Sequence, residues 1–506
     1  MIPQFLKVFL WTFFVEMKVF KPHHVLLFLL SVMLVLAPLV WFSPADGWDL
    51  GGFRLRFLTF NKFMSPVKKE HKDITKIVTN VDTTMVETPL NDTILQANNS
   101  KSKTGLPTGG KLSTESATQI LFNQIGLERL HQLFTKMENA VNSNQKVRIL
   151  HYGDSQIEGD RMTSYIRQRV QERFGGNGPG MIPALNVYNT FSFKQKYSPN
   201  FQRFTCFGGS KLKSRKYGTM NTVGRFTPEY MDSAERMSIT SIKEAWIEIE
   251  PSPMAFGRAK QYNNVDMYYT SCYRPCSVKV YQRGTLIHED SLIKDGKYHV
   301  LHLNFPSTPG KLRYEFSSAV SPNILGFSLE GDVGVQVDNI AMRGSSGTFF
   351  GNIDQQLAAK MYADMNTELI IMQFGGNSVP FFKDSSGVRH FAKQFKGQLN
   401  AIRKLRPSAA IIVIGPSDMS KLEDGVRVTY PYLPACVAAL KKVSMEVGAG
   451  YYDLYSAMGG RNSMPSWVER GLAGDDYIHF SNRGASIASQ LFYDAFSAEY
   501  AKWKTQ

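Results

Sequence analysis

The segment VRILHYGDSQIEGDRMTSYIRQRVQERFGG constrains the fold more than any other part of the chain. Val147 to Tyr152 reads as a short buried strand, and Gly153-Asp154-Ser155-Gln156 as a tight turn. Gly159 to Phe174 repeats apolar residues at helical spacing until Gly175 and Gly176 end it. A strand, a tight turn and a helix in that order place Ser155 at the carboxyl edge of a sheet, where open α/β sheets bind their ligands.

The strand-helix alternation stops near Asn186 and returns after about Gly331. Between them, EAWIEIEP, VDMYYTS, SVKVYQRG, YHVLHLNF, KLRYEFSS and ILGFSLEG are short β-rich runs with turn signals, the pattern of an inserted β-sandwich. Alternation resumes with VQVDNIAMRGSSG and LIIMQFGGN, a helix from about Phe391 to Leu405, the strand AAIIVIGP, a helix near Pro434 to Val447, the strand YYDL and a last helix from Asn482 to Tyr500. A further helix, roughly Glu115 to Val141, precedes the first strand. The 506 residues are enough for two or three domains. The expected class is therefore α/β: a three-layer α/β/α body over 114–185 and 332–506, interrupted by a β-sandwich over 186–331.

Val25 to Ala45 carries no charge, and a helix needs about 20 apolar residues to cross the hydrocarbon core of a bilayer. It reads as a transmembrane anchor that is not cleaved, because the stretch before it is long and no small-x-small site follows. Lys18 and Lys21 before the span and Asp46 and Asp49 after it favour residues 1–24 in the cytoplasm and the body outside it, in a periplasm-like compartment. Residues 46–113 read as a linker, most polar from about Pro66 to Ser113.

Fifty-eight Lys and Arg against 43 Asp and Glu give a net charge of +15, which suits an anionic partner. An exported body would not meet nucleic acid, so a glycan or a membrane surface is expected instead. Lys194, Lys196, Arg203, Lys211, Lys213, Arg215, Lys216 and Arg225 lie in one stretch without an acidic residue, either a solvated loop or a site for an anionic polymer. Cys206, Cys272, Cys276 and Cys436 are too few for a disulfide scaffold, although Cys272 and Cys276 are spaced for one bridge or two free thiols. Without CxxC, HExxH or a Walker-type loop, no metal or cofactor is expected.

Ser155 needs a base to act as a nucleophile near neutral pH, and an imidazole held by a carboxylate supplies one. Asp476 and His479, three residues apart just before the final helix, can meet across a turn. Attack on an ester puts negative charge on the carbonyl oxygen, which calls for preorganised donors. Asn377 in Gly375-Gly376-Asn377 follows an apolar strand and offers its amide, while Gly344 and Gly347 in RGSSG offer backbone N–H groups. His151, just before the turn, reads as a packed strand residue rather than a second base.

These residues resemble the SGNH or GDSL hydrolases. Gly153-Asp154-Ser155-Gln156 is similar to the first block of that family, with Gln in place of the more usual Leu, and Gly347 to the oxyanion glycine of the second, with Gly344 as the alternative. Asn377 matches the third block, although Ser378 stands where Asp often follows, and Asp476 and His479 match the fifth. With an insertion between the first two blocks, the chain looks like the peptidoglycan O-acetylesterases, whose insertion resembles a carbohydrate-binding module. The resemblance implies a flavodoxin-like fold and removal of acetyl groups from a glycan outside the cytoplasm. Ser155 would be the nucleophile, His479 the base and Asp476 its orienter, with Ser155 N–H, Gly347 N–H and the Asn377 amide as oxyanion donors. Two alternatives stay open: an O-acetyltransferase using the same triad beside an integral-membrane acyltransferase partner, and a non-catalytic glycan-binding envelope protein.

Overall fold

The computed structural model describes residues 21–42, 48–49, 54–55, 72–79 and 119–506. The chain divides into two units, Met1–Glu70 and His71–Gln506. The first holds a helix, Pro22–Phe42, and a two-stranded ribbon in which Trp48–Asp49 pairs antiparallel with Arg54–Leu55. The helix covers most of the expected anchor and exposes large apolar side chains from Val25 to Phe42. Among the described residues no helix is long and apolar enough to cross a membrane. The side chains of Leu39 and Val40, and residues 43–45 at the end of the expected span, lie outside that description.

The second unit is built on a six-stranded sheet. Its strands are β1 (Ile120–Leu121), β2 (Lys146–Gly153), β3 (Gly334–Ala341), β4 (Thr367–Gln373), β5 (Ala410–Ile414) and β6 (Gly450–Tyr452), in the spatial order β3-β2-β4-β5-β6-β1. All neighbours are parallel except β1, which runs antiparallel to β6. The five parallel strands follow the flavodoxin-like order. From β2 the chain moves outward to β3 and then crosses to β4 on the other side of β2. The crevice between the carboxyl ends of β2 and β4 is thus the topological switch point, and the Gly153–Gln373 register places the Ser155 turn there.

Parallel strands covered on both faces must be apolar on both, and β2 shows it. Val147 and Ile149 face a cluster with Leu130 and Phe134 of α1 (Gln124–Asn139), Ile166 and Val170 of α2 (Thr163–Phe174) and Phe492 and Phe496 of α6 (Asn482–Lys504). Leu150 and Tyr152 face the opposite cluster, with Met361 of α3 (Gln355–Asp364), Phe391, Phe395 and Leu399 of α4 (Ser385–Leu405) and Leu440 of α5 (Leu433–Glu446). Each such fully buried side chain contributes about 1.5–3 kcal/mol. Asp384 caps α4 through Ser386 N–H and Gly387 N–H, and α2 stops at Gly175, whose φ of 74° suits glycine.

Between β2 and β3 the chain forms two antiparallel sheets. One contains 202–205, 222–225, 264–270, 299–304 and 323–330, the other 193–197, 243–251, 276–282, 285–291 and 312–318. Ile247, Val278, Phe316, Ile324 and Phe327 fill the space between them. This architecture starts earlier than 186, because Gly180–Ile182 pairs with Leu329 to Phe327. Three residues without alternation carry too little pattern to be read from sequence. Cys206, Met220 and Leu325 pack in the same cluster as Tyr152 and Tyr362, so one apolar core passes from these sheets into the body. A buried ion network crosses the same boundary. Arg148 of β2 donates to Asp338 of β3 at 2.9 Å and to Glu330, which also accepts from Lys146 at 2.6 Å. Burial opposes the Glu330 charge, but Arg148 and Lys146 prevail and push its pKa down to about 2.

Within the segment read as linker, residues 72–79 lie on the body: Ile74 is buried among Met458, Met464 and Trp467, and Ser466 donates to Lys72 O at 2.7 Å. One isoleucine just before a five-residue helix, Thr75–Thr79, carries no periodicity to read. Cys272 and Cys276 are separate free thiols, donating to the carbonyls of Arg274 and Ser277, so the structure contains no bridge between them.

Candidate active site

β2 ends at Gly153, where a Cβ would lie 2.9 Å from the Ile157 side chain and 3.2 Å from Gln373 O, so the turn into Ser155 requires glycine. Asp154 Oδ1 accepts from Gln156 N–H at 2.9 Å and tightens the turn. Ser155 Oγ then lies 2.8 Å from His479 Nε2, and His479 Nδ1 lies 2.7 Å from Asp476 Oδ2. Residues 155, 476 and 479 therefore form a continuous hydrogen-bonded chain at the switch point.

The carboxylate is held by its own loop. Asp476 Oδ1 accepts from Ile478 N–H at 2.9 Å and His479 N–H at 3.0 Å. Burial alone would raise the Asp476 pKa, but these donors and the imidazole hydrogen bond bring it below the ordinary carboxylate value. The loop needs Tyr477 at φ 59°, an uncommon conformation for an aromatic residue. Arg427 over the Tyr477 ring at 4.1 Å and Ser420 N–H on Tyr477 O at 3.0 Å hold it there.

Asn377 follows β4 at the same edge. Its Nδ2 donates to Ser345 O at 3.0 Å and Asp154 Oδ2 at 3.2 Å, tying the turns after β2, β3 and β4 together. Gly347 does not join the triad. It is buried against Phe374, and its N–H donates to Ser345 Oγ at 3.0 Å. Gly344 is exposed, has open space where a Cβ would stand, and its N–H makes no hydrogen bond to the described residues. Geometry thus favours Gly344 over Gly347 as a free donor. The two glycines share one turn, and only the surrounding packing distinguishes them.

An open cleft of about 720 Å³ adjoins the triad, walled by Ser155, His479, Asn377, Phe381, Pro416 and Met419. Asp154 is 5% exposed beside it, and burial pushes its pKa up to about 6. His151 lies apart from the triad, fully buried between Gln373 Oε1 at 3.0 Å and Thr163 Oγ1 at 2.9 Å; burial pushes its pKa down to about 4. Among the described residues no group of three or more His, Cys, Asp or Glu is arranged to hold a metal ion.

Sequence reasoning missed two connecting side chains. Gln156 Nε2 donates to Ile478 O at 2.7 Å and Ser417 Oγ at 3.3 Å, and its Oε1 accepts from Phe480 N–H at 3.4 Å. Arg161 donates to Phe480 O at 3.1 Å and to Ser155 O. Both brace the histidine loop against the serine turn. The only sequence signal was Gln156 itself, where the resembled block carries Leu.

No family model matches the chain, and no curated protein matches it. Among solved structures, a peptidoglycan O-acetylesterase is similar over 75% of this chain and 96% of that one, with 19% identity and a TM-score of 0.56. A family two carbohydrate esterase from Clostridium thermocellum in complex with cellohexaose covers 51% and 93% at 12% identity with a TM-score of 0.22. An acetylxylan esterase from Geobacillus stearothermophilus covers 32% and 73% at 15% identity with a TM-score of 0.23. These last two likenesses are too low to bear on the argument. The parallel sheet, its switch-point serine turn and the likeness over 75% of the chain give this protein a flavodoxin-like α/β fold similar to that of the peptidoglycan O-acetylesterase.

Proposed function

We propose that the protein is a serine esterase that removes O-acetyl groups from a cell-envelope polysaccharide, most specifically peptidoglycan. The observation that carries this reading is the unbroken chain from Ser155 Oγ through His479 to Asp476, at 2.8 and 2.7 Å, opening on a cleft. Ser155 attacks the acetyl carbonyl while His479 Nε2 takes its proton, and Asp476 holds the ring and stabilises the imidazolium. Ser155 N–H, at the cleft and not hydrogen-bonded to the described residues, takes the oxyanion, and Gly344 N–H, also without a partner among them, is the backbone donor assigned beside it from the turn after β3. Asn377 lines the same cleft, but its Nδ2 gives both hydrogens to Ser345 O and Asp154 Oδ2, so it positions the turn that carries Gly344 and would reach an oxyanion only by giving up one of those bonds. His479 then protonates the departing sugar oxygen, and water attacks the acetyl-serine by the reverse relay.

The His479 and Asp476 side chains are 36% and 49% exposed, so water reaches the relay as hydrolysis requires. The similarity in fold to a peptidoglycan O-acetylesterase supports the choice of glycan. The uncharged run from Val25 to Ala45 supports anchoring in the membrane with the catalytic body outside the cytoplasm.

The test is acetate release from O-acetylated peptidoglycan by the detergent-solubilised full chain and its Ser155→Ala form, with and without a sugar acceptor. Hydrolysis should fall by at least about 10³-fold in the variant. Retained release would overturn the serine assignment, and acetylated acceptor without free acetate would make the protein a transferase.

A further inference from the structure

The eight basic residues between Lys194 and Arg225 meet different fates. Arg225 is buried and satisfied by the carbonyls of Thr227 and Pro228 and by Asn323. Lys194, Lys196, Lys211, Lys213 and Arg215 are exposed to solvent, Lys216 is half-buried, and Lys194 lies 3.6 Å from Glu250. Arg203 differs from both groups. It sits on the strand Gln202–Thr205, its Nε is shielded from solvent, and among the described residues its side chain has no hydrogen bond and no ion pair. Its nearest ionisable neighbours are Tyr188, Tyr197 and Cys206, with no carboxylate among them. Arg203 is half-buried and only its Nε is shielded, so the remaining edge of the guanidinium, with no counter-anion among the described residues, is open to an incoming anion.

Arg203 lines a recess of about 590 Å³, counting its open mouth, together with Asn186, Tyr188, Thr190, Asn339 and Asp160. Asp160 does not neutralise it. Arg167 holds that carboxylate through two hydrogen bonds, at 2.6 and 3.2 Å, and Ser192 donates to it as well. The recess therefore keeps one uncompensated positive charge. It includes Gly159, four residues beyond Ser155, and Ala341 at the carboxyl end of β3. It thus opens at the same sheet edge as the catalytic cleft, on the β3 side of β2 rather than the β4 side.

We propose that Arg203 binds a carboxylate borne by the polysaccharide, so that the preferred substrate has an acidic sugar beside the acetylated one. This inference rests on the glycan-esterase reading and adds the substrate's charge to it. A planar guanidinium pairs with a carboxylate through two parallel hydrogen bonds. Asn339 already donates to Ile157 O and Thr163 Oγ1, and Asn186 to Tyr188 O, so their amide oxygens and the Thr190 hydroxyl are what the recess offers to the hydroxyls of the same ring.

Binding separates the two ideas because it needs no turnover. The full chain carrying Ser155→Ala is titrated calorimetrically with glucuronate, N-acetylmuramate and neutral N-acetylglucosamine, with and without Arg203→Gln or Arg203→Lys. At least one acidic sugar should bind about tenfold tighter than the neutral one, and Gln but not Lys at 203 should abolish that preference. Which acidic sugar binds distinguishes a uronate from a lactyl carboxylate. Equal affinity for all three sugars, or an acid preference that survives Arg203→Gln, would overturn the proposal. So would a loss of melting temperature in both variants, which would make Arg203 structural. Acid preference without acetate release from any glycan would refute the esterase reading alone, and acetate release without acid preference would refute the Arg203 site alone.

Discussion

Gln156 and Asp154 flank the serine and act on it in different ways. Gln156 joins Ile478 O and Phe480 N–H, the backbone on either side of His479, so it fixes where the imidazole stands relative to Ser155. Gln156→Leu keeps the volume and removes those bonds. It should lower kcat by about 10–100-fold with little change in KM, because geometry at the reacting atoms matters more than substrate affinity. Steady-state kinetics on a small acetyl ester separates the two parameters, and an equal loss in both would point to general loosening. Asp154 is buried, with a pKa pushed up to about 6 against an ordinary 3.8. Its ionised form is thus disfavoured by folding: full stability holds below about pH 4 and is lost as pH rises through 6, by about 3 kcal/mol at most. Asp154→Asn should therefore be more stable than the wild type at pH 8 and no more stable at pH 3.5, measured by urea denaturation at both. Both contacts, Gln156 donating to Ile478 O and Asp154 accepting from Asn377, are visible only in three dimensions, since Ile478 and Asn377 are far from the serine turn in sequence.

The DxxH loop and α6 form a single catalytic element. Asp476 meets His479 by local turn geometry, and Ser481, two residues later, caps α6 by accepting Gly484 N–H at 3.2 Å while donating to Gly471 O at 2.8 Å. Ser481→Ala should cost about 1 kcal/mol in stability, read from the denaturation midpoint, and should lower activity more than that figure suggests, because the cap also sets where the histidine loop enters the helix. This element was legible in the sequence for a physical reason: a spacing of three residues and a cap are local, and periodicity marks the helix that follows. The RGSSG turn was not. Gly344 and Gly347 both have left-handed φ, 77° and 76°, and local sequence gives no means to choose between them. Phe374 packs on one and leaves the other open, and Phe374 belongs to the segment that follows β4.

At the scale of the whole molecule, the inserted sheets and the parallel body are joined by the buried network of Arg148, Asp338 and Glu330 and by a continuous apolar cluster. Arg148→Met leaves the buried Asp338 without its cation and Glu330 with Lys146 alone, and should cost about 3–5 kcal/mol in a denaturant titration at neutral pH. Replacing all three groups with apolar residues of similar volume should recover much of that loss, because the desolvation cost disappears with the charges. The sequence by itself determined the alternating body, the interruption by β-rich runs, and Ser155, Asp476 and His479, because each is written in local periodicity or in a short turn. It also carries the uncharged run from Val25 to Ala45. Only the tertiary structure decided that Gly180–Ile182 joins the inserted sheet and that Ile74 docks on the body. It alone showed Gln156 bracing a loop more than 300 residues away, and Arg203 lining a recess with no counter-anion among the described residues. Burial and long-range pairing are properties of which segments meet, and a single strand or turn does not specify its partner.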